Sequence, residues 1–321
     1  MKLLLLLPLA LFTLCVGHTG AEPAPASPTK EIDLVTLTQA TKAPRPALPI
    51  TGRKVFLWEV KSKTNVIYLF GTIHVGKESF YPLPPQVEAA LKQSQRLVVE
   101  ADISNTDALA GIGKIINYQA PDGLDKHISM PLYRRLQAQL VRLKVPVDAA
   151  RSMKPFLIGG LLSIAEYARL GYDMDHGVDS YLMASAKQTD TPILELESQA
   201  AQLKMMSGMP PKLQEAFLEN AIRLLESGRA AEQVTGIVNA WQSGDVALMQ
   251  TVVAAADRDA LMREPLEALL IHGRHEAMLK KITGYLEGDI SHFVALGSLH
   301  LLGPRGLVEL LKARGFEVGQ L

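Results

Sequence analysis

Two segments of this 321-residue chain share one pattern. "LFGTIH" occupies residues 69–74 and "ALGSLH" occupies residues 295–300. Each segment is a short apolar run followed by Gly, a small hydroxyl residue, an apolar residue and His. The pattern therefore places His74 and His300 in the same local frame, near opposite ends of the chain. Imidazole can ligate a divalent metal or act as a general base, so this pair is the first candidate for chemistry.

Two carboxylates stand in a similar position after other apolar runs. Glu100 follows "LVV" (97–99), and Glu197 follows "PILEL" (192–196). If these runs are parallel strands, their carboxyl ends share the edge of the sheet where α/β proteins build sites. Two His and a Glu suffice for a catalytic divalent metal that keeps a position for water. They also suffice for metal-free hydrolysis by a His general base, and chance repetition with buried structural histidines is a third interpretation.

Short apolar runs predict the strands that position these residues. "VIYLF" (66–70) and "FVAL" (293–296) precede the two Gly-x-x-His motifs and have the length of buried strands. "FLWEV" (56–60) is expected to form a hairpin with 66–70 through the polar turn "KSKTN". "PPQVEAALKQSQ" begins with two prolines and shows helical spacing, so strand, helix and strand predict a βαβ unit with a parallel pair.

The rest of the chain is mainly helical in pattern. After 293–296, a Gly-rich turn leads to a predicted helix from about Gly306 to Ala313 and a last strand from Phe316 to Val318. Residues 201–290 show helical spacing and almost no strand signal, which predicts a helical insertion between strands of the sheet. The predicted fold class is therefore α/β, with a mixed, largely parallel central sheet flanked by helices.

The N-terminus has the pattern of a secretory signal peptide. Met1-Lys2 precedes an apolar run from Leu3 to Val16, and small residues follow, so cleavage is expected after Ala21. The run is shorter than the roughly 20 residues that span a bilayer, which makes a membrane anchor the lesser alternative. Residues 22–52 are rich in proline and are predicted to be a flexible linker, which leaves 53–321 as the domain.

Composition excludes several classes of function. Lys+Arg and Asp+Glu both number 33, so no basic excess favours binding of nucleic acid. Cys15 is the only cysteine, and signal cleavage would leave no disulfide, thiolate nucleophile or cysteine metal site. No second apolar run is long enough to span a membrane, so no integral span is expected in the mature chain. A periplasmic or secreted protein is predicted.

Six segments follow one another from about Leu57 to the C-terminus: "LFGTIHVGKESFYPLP", "LVVEAD", "MKPF", "GYDMDHGVDSYLMASAKQTDTPILELES", "AWQSGD" and "VALGSLHLLGPRGLVELLKARGFEV". Their order resembles the TraB/GumN family, which includes GumN-like proteins and the conjugation protein TraB. That family is related to the animal Tiki proteins, regarded as metal-dependent proteases, and more distantly to erythromycin-esterase-like and ChaN-like proteins. The resemblance implies an α/β fold of this type and an essential Glu with paired Gly-x-x-His motifs, here Glu100, His74 and His300.

Two further motifs of the family have counterparts here. Its Gly-x-Asp motif falls on Gly177-Val178-Asp179, and its Leu-Glu motif falls on Leu196-Glu197. Asp179 is also placed to cap the start of a helix. It belongs to a group with Asp173, Asp175 and His176 that is dense enough for cation binding, although a solvated loop is the preferred interpretation of those three.

One motif departs from the family. An Arg-Asn pair usually precedes a tryptophan late in the family, whereas here Arg274 is followed by His275 and no tryptophan comes after it. The role of the pair therefore stays open. His272 and His275 are three residues apart and could form a second metal pair on a helix, but surface histidines are the expectation.

These observations predict an exported metal-dependent hydrolase, most similar to a Tiki-like peptidase, with Mn, Co or Zn as its metal. A peptide or another small extracytoplasmic molecule is its expected substrate. The expected metal ligands are His74, Glu100, His300 and Asp179, and the expected catalytic residues are Glu100, Glu197 and Arg274. The alternatives are a metal-free, His-based, esterase-type hydrolase and a non-enzymatic exported binding protein of the same fold.

Overall fold

The computed structural model describes Leu48 and residues 52–103, 112–256 and 262–321. The predicted signal peptide (1–21) and almost all of the predicted linker lie outside the described residues. In the ranges that are described, no helix has the length and apolar character needed to cross a membrane.

One sheet lies at the centre of the described chain. Its six strands are β1 (Leu57–Lys61), β2 (Val66–Thr72), β3 (Arg96–Val99), β4 (Ile193–Glu195), β5 (His292–Gly297) and β6 (Glu317–Gln320). Their order across the sheet is β4-β3-β5-β2-β1-β6. The first four strands of that order are parallel. β1 runs in the opposite direction and pairs antiparallel with both of its neighbours, β2 and β6. The predicted mixed, largely parallel α/β class is confirmed.

Helices connect and flank these strands. They are α1 (Pro85–Gln93), α2 (Gly113–Ile116), α3 (Met130–Arg142), α4 (Val147–Ala150), α5 (Pro155–Arg169), α6 (Val178–Gln188), α7 (Gln199–Ser207), α8 (Pro211–Ser227), α9 (Ala230–Ser243), α10 (Val246–Ala256), α11 (Arg263–Leu270), α12 (His275–Glu287) and α13 (Leu307–Ala313). Between β4 and β5 the described residues are helical, from α7 to α12. That these helices form a separate inserted unit stays a prediction.

The predicted hairpin is confirmed, and the predicted parallel pair needs a correction. β1 and β2 are antiparallel neighbours, with Leu57 opposite Phe70. β2 and β3 run parallel as predicted, but they are not neighbours, because β5 lies between them and pairs with both. The sequence could not show this, since β5 comes about two hundred residues later in the chain. As a result, the two Gly-x-x-His motifs lie side by side at the ends of adjacent strands.

The core is built on the central strands. Every residue of β5 is buried, as expected for a strand covered on both faces. Phe70 on β2 packs against Phe293 on β5, with ring centroids 5.5 Å apart. Trp241 of α9 packs on Phe70 and donates its indole N–H to the carbonyl of Gly71 at 2.7 Å. This contact fixes a helix against the strand end that leads into the first motif.

Candidate functional site

The candidate site lies where β2, β3 and β5 end. In the parallel register of β2 and β5, Thr72 stands opposite Gly297, so the chains that carry His74 and His300 leave the sheet side by side. β3 also pairs with β5 and ends at Val99, directly before Glu100. His74, Glu100 and His300 are all buried, at 5%, 6% and 3% exposure. The sheet therefore brings together three residues that the sequence predicted would converge.

Gly297 marks the centre of this group. A methyl carbon added to it would lie 3.4 Å from Glu100 Oε2, 3.6 Å from His74 Nε2 and 3.8 Å from His300 Cδ2. The backbone N–H of Gly297 also donates to Glu100 Oε2 at 3.1 Å. Glycine at this position thus leaves open a small space that the three side chains border.

Asp179 holds the ring of His74. One of its oxygens accepts a hydrogen bond from His74 Nδ1 at 2.8 Å, and the other accepts from the hydroxyl of Thr72 at 2.8 Å. A carboxylate can only accept, so Nδ1 of His74 carries a proton. In the neutral form of the ring the lone pair is then on Nε2, the atom that borders the space at Gly297.

Gly177 explains how Asp179 reaches this position. A side chain on Gly177 would come within 2.3 Å of the carbonyl oxygen of His74, so only glycine allows the start of α6 to approach so closely. Val178 N–H then donates to the carbonyl of Ile73 at 3.1 Å. The interpretation of Asp179 as a helix cap is wrong, because Gly177 is the N-cap of α6 and no side chain caps this helix. The side chain of Asp179 bonds His74 and Thr72 instead.

His300 is held from behind by a second histidine. Its Nδ1 lies 3.0 Å from Nε2 of His275, whose Nδ1 lies 2.8 Å from the backbone carbonyl of Arg305. Burial lowers the pKa of His275 to about 4 and the pKa of His300 well below its ordinary value, so both rings are neutral at pH 7. The expectation that His275 lies at the surface is wrong. It is the first residue of α12 and is 3% exposed, because its ring lies between the carbonyl of Arg305 and the ring of His300.

Arg274 joins the two carboxylates of the site. Its guanidinium forms ion pairs with Glu100 and with Glu197, and its Nε lies 2.9 Å from Glu197 Oε2. Its Nη1 donates to the carbonyl of Leu270 at 2.9 Å and faces His300 Nε2 at 3.1 Å. Arg274 is only 6% exposed, so these charges attract one another with little screening by water.

The charge of Glu100 depends on this arginine. Burial by itself raises the pKa of the Glu100 carboxyl group, but the adjacent Arg274 guanidinium, together with His300 and His74, outweighs burial and holds the pKa well below its usual range. Glu100 is therefore an anion at neutral pH. Glu197 is the most accessible member of the group, with 17% of its side chain exposed.

Gln202 completes the group and was missed from the sequence. Its amide nitrogen donates to Glu100 Oε1 at 2.9 Å and to Glu197 Oε2 at 3.2 Å. Ser198 caps α7 by accepting a hydrogen bond from Ala201 N–H, which starts the helix directly after Glu197 and turns Gln202 towards the carboxylates. The capping serine was the available signal, because it places a helix start beside a predicted site residue.

The acidic loop before α6 lies outside this group. Asp173 and His176 form an ion pair at 2.8 Å, and their side chains are 50% and 42% exposed. Asp173 also accepts a hydrogen bond from the backbone N–H of His176 at 2.7 Å. These contacts agree with the preferred interpretation of the segment as a solvated loop.

The donor atoms of the site fit a divalent cation, but Arg274 engages some of them. Two imidazoles and a carboxylate form a set that Zn and related metals accept, and both rings are oriented by hydrogen bonds at Nδ1. As the side chains stand, however, no group of three or more His, Cys, Asp or Glu in the described part of the chain could hold a metal ion. Arg274 contacts both Glu100 and His300, so a cation would have to take these contacts from the guanidinium.

The fold and the site define a class of protein: a mixed α/β protein with two Gly-x-x-His motifs and a buried carboxylate at the carboxyl edge of one sheet. The chain belongs to the TraB/PrgY/gumN family, whose sequence profile matches residues 56–320. The resemblance stated from the six segments is thereby confirmed.

Known relatives are distant in sequence. YbaP of Escherichia coli is 26% identical over 250 residues, which cover 76% of this chain and 87% of YbaP. Metalloprotease TIKI1 of Danio rerio is 23% identical over 316 residues, which cover 84% of this chain and 64% of that protein. For Homo sapiens TIKI1 the identity is 22%, covering 82% of this chain and 61% of the relative. The chain thus spans less than two thirds of these metalloproteases. No solved structure matches it.

Proposed function

We propose that this protein is a metal-dependent hydrolase that acts on peptides or other small molecules outside the cytoplasm. The observation that carries the proposal is the arrangement of His74 and His300 around Gly297. Both rings have Nδ1 engaged from behind, and the Nε2 of His74 lies beside the Glu100 carboxylate at that point. Two relatives named as metalloproteases support the same reaction class. The N-terminal signal pattern supports export.

In this proposal His74, His300 and Glu100 hold the cation, with Mn, Co and Zn as the candidates. A divalent cation held there would act as a Lewis acid and would lower the pKa of water towards 7. We assign Asp179 to positioning His74 instead of to metal ligation. Both of its oxygens already accept hydrogen bonds, one from His74 and one from Thr72.

Glu197 and Arg274 act on the substrate in this proposal. Glu197 is the most accessible carboxylate of the site, so it is placed to take a proton from attacking water. Arg274, once it releases Glu100, presents a buried guanidinium that stabilises an anionic oxygen. Gln202 donates to both carboxylates and keeps their separation fixed while Arg274 changes partners.

A metal-free hydrolase is the second candidate, and one observation favours it. Arg274 already neutralises Glu100 and Glu197 in the described arrangement, so the site has a cation of its own. His74, oriented by Asp179, would then be the general base, and Arg274 would stabilise the oxyanion. The metal-free candidate thus uses the same residues as the metal-dependent one, but His74 acts as a base and is no longer a metal ligand.

The test compares the mature protein with His74→Ala and Glu100→Gln. His292→Ala is the control, because that histidine is also buried but stacks on Tyr285 at the opposite end of β5. Calorimetric titration with Mn²⁺, Co²⁺ and Zn²⁺ measures binding, and a peptide library with and without chelator measures hydrolysis. The proposal expects binding and chelator-sensitive hydrolysis in the wild type and the control, and neither in the two site variants.

Other outcomes identify the alternatives. Hydrolysis that both substitutions abolish, and that chelator leaves unchanged, would favour the metal-free candidate. Absence of hydrolysis in every protein, with no binding of the three cations, would contradict both hydrolase proposals and favour a binding protein.

A further inference from the structure

We propose that His275 is a positioning residue for His300 and, together with Arg274, sets which nitrogen of the His300 ring carries the proton. The two rings are joined by a hydrogen bond between His275 Nε2 and His300 Nδ1 at 3.0 Å. The predicted metal site gives His275 no role.

The first constraint comes from behind His275. Its Nδ1 lies 2.8 Å from the backbone carbonyl of Arg305, and a carbonyl oxygen can only accept a hydrogen bond. Nδ1 of His275 therefore carries the proton. In a neutral ring the proton is then absent from Nε2, so Nε2 of His275 must accept from His300 Nδ1.

The second constraint acts on the opposite side of the His300 ring and does not depend on His275. Nη1 of Arg274 lies 3.1 Å from His300 Nε2, and a guanidinium can only donate. Nε2 of His300 must therefore accept, which again places the proton of the ring on Nδ1. A carbonyl at one end and a guanidinium at the other end thus require the same tautomer in both histidines.

The consequence is a symmetry between the two motifs. Asp179 holds Nδ1–H of His74, and His275 holds Nδ1–H of His300. Each ring then has its lone pair on Nε2, as a metal ligand or a proton acceptor requires. The partner of His74 is an anion, whereas the partner of His300 is neutral. A second carboxylate behind His300 would add negative charge to a site that already contains Glu100 and Glu197.

The chemistry also explains which residue can replace His275. An asparagine side chain has one carbonyl oxygen that accepts and one amide that donates. It can therefore accept from His300 Nδ1 and donate to the carbonyl of Arg305, as the neutral imidazole does. A leucine has a similar volume but offers neither group. Asparagine should preserve the tautomer of His300, and leucine should not.

The experiment compares the wild type with His275→Asn and His275→Leu. His272→Leu is the matched control, because His272 lies edge-on to His275 at 5.4 Å and is not a member of the chain from Arg305 to His300. Nitrogen-15 correlation spectra of the histidine side chains, without metal at pH 7.5, report the tautomer. Titration with Zn²⁺ reports the effect on binding, and this second measurement alone rests on the proposed function.

We expect the Nδ1–H tautomer of His300 in the wild type, His275→Asn and His272→Leu. In His275→Leu the Nδ1–H tautomer would leave a buried N–H without an acceptor, whereas the Nε2–H tautomer would face the Arg274 donor. We therefore expect a mixture of the two tautomers in this variant, with Zn²⁺ affinity at least about 10-fold lower. The spectrum of the wild type tests the proposal even if His275→Leu does not fold. Nε2–H on His300 in the wild type, or an unchanged tautomer in His275→Leu, would overturn it. If the spectra show the expected tautomers but none of the proteins binds Zn²⁺, the role of His275 is supported and the proposed metal site is contradicted.

Discussion

Arg274 and Glu100 form a buried ion pair at the point where metal ligation is proposed. Nη2 of Arg274 contacts Glu100 Oε1, and the two side chains are 6% and 8% exposed. The same nitrogen contacts Glu197, so one guanidinium balances two carboxylates. The guanidinium compensates the charge of both carboxylates, so its substitution should affect both folding and metal binding.

The first prediction concerns stability without metal. Arg274→Met removes the cation and leaves Glu100 and Glu197 close together in a buried site. We expect the free energy of unfolding at pH 7.5 to fall by about 3–5 kcal/mol, as for other buried pairs that lose one partner. Urea denaturation followed by circular dichroism measures this free energy.

Arg314→Met is the control for this prediction. Arg314 pairs with Glu276 at the surface, so its substitution should lower the free energy of unfolding by about 1 kcal/mol or less. Equal losses in the two variants would contradict the assignment.

The second prediction concerns competition between Arg274 and the metal. Removal of the guanidinium frees the inward atoms of Glu100 and His300 and removes a positive charge that repels a dication. We expect Arg274→Met to bind Zn²⁺ at least about 10-fold more tightly than the wild type. Added Zn²⁺ should therefore raise the melting temperature of the variant more than that of the wild type, because a ligand stabilises the folded state that it binds. An unchanged affinity in calorimetric titration would show that Arg274 does not compete.

The third prediction concerns pH and a carboxylate remote from the site. Glu166 on α5 is 3% exposed and accepts hydrogen bonds from Arg142 and Arg169. Burial raises the pKa of Glu166, but the two arginines together outweigh it and lower the pKa below the ordinary value. A carboxyl group whose pKa is lower in the folded state stabilises the protein above its unfolded pKa, and this contribution is lost as the pH falls.

The wild type should therefore be more stable than Glu166→Gln at pH 7, and the difference should shrink below about pH 4.5, where the unfolded carboxyl group is protonated. Urea denaturation of both proteins at pH 7 and pH 3.5 measures this difference. A difference that stays constant between the two pH values would show that the ionised carboxylate contributes nothing.

The fourth prediction concerns the N-terminus. The apolar run from Leu3 to Val16 with small residues after it predicts cleavage after Ala21. Mass spectrometry of protein recovered from the periplasm of a bacterial host should show a chain that begins near Glu22. Retention of residues 1–21 on most of the protein would contradict it.

The strand ends were the predictable part of the site. Each apolar run is a local signal, and a polar residue directly after such a run can be read without any long-range information. His74, Glu100 and His300 were found in this way, and the structure brings them to one edge of the sheet. The position of β5 between β2 and β3 could not be predicted, because pairing between distant strands leaves no local trace in the sequence.

The residues that the sequence missed are those whose role depends on packing. Gln202 and His275 lie near the start of helices, where the residue type alone does not show that a side chain is buried. Their partners are up to 102 positions away in the chain, as for Gln202 and Glu100. Arg274 was predicted as a catalytic residue, but its ion pairs with both carboxylates are a property of the folded chain alone.

The last prediction separates the space at Gly297 from the stability of the fold. Gly297 has φ of −50°, which alanine adopts without strain, and its added methyl group would contact Glu100, His74 and His300 at ordinary van der Waals distances of 3.4–3.8 Å. We expect Gly297→Ala to fold with a melting temperature equal to or slightly above that of the wild type, since the substitution lowers the entropy of the unfolded chain. The methyl group would occupy the position that these three side chains border, so Zn²⁺ binding and hydrolysis should both be lost.

Gly177→Ala is the matched comparison for this substitution. Its methyl group would lie 2.3 Å from the backbone oxygen of His74, so the start of α6 would have to move and we expect a clear loss of stability. Thermal denaturation followed by calorimetric titration with Zn²⁺ distinguishes the two variants. If Gly297→Ala folds normally and still binds Zn²⁺ with wild-type affinity, the metal is held elsewhere, and the assignment of His74, Glu100 and His300 as its ligands is wrong.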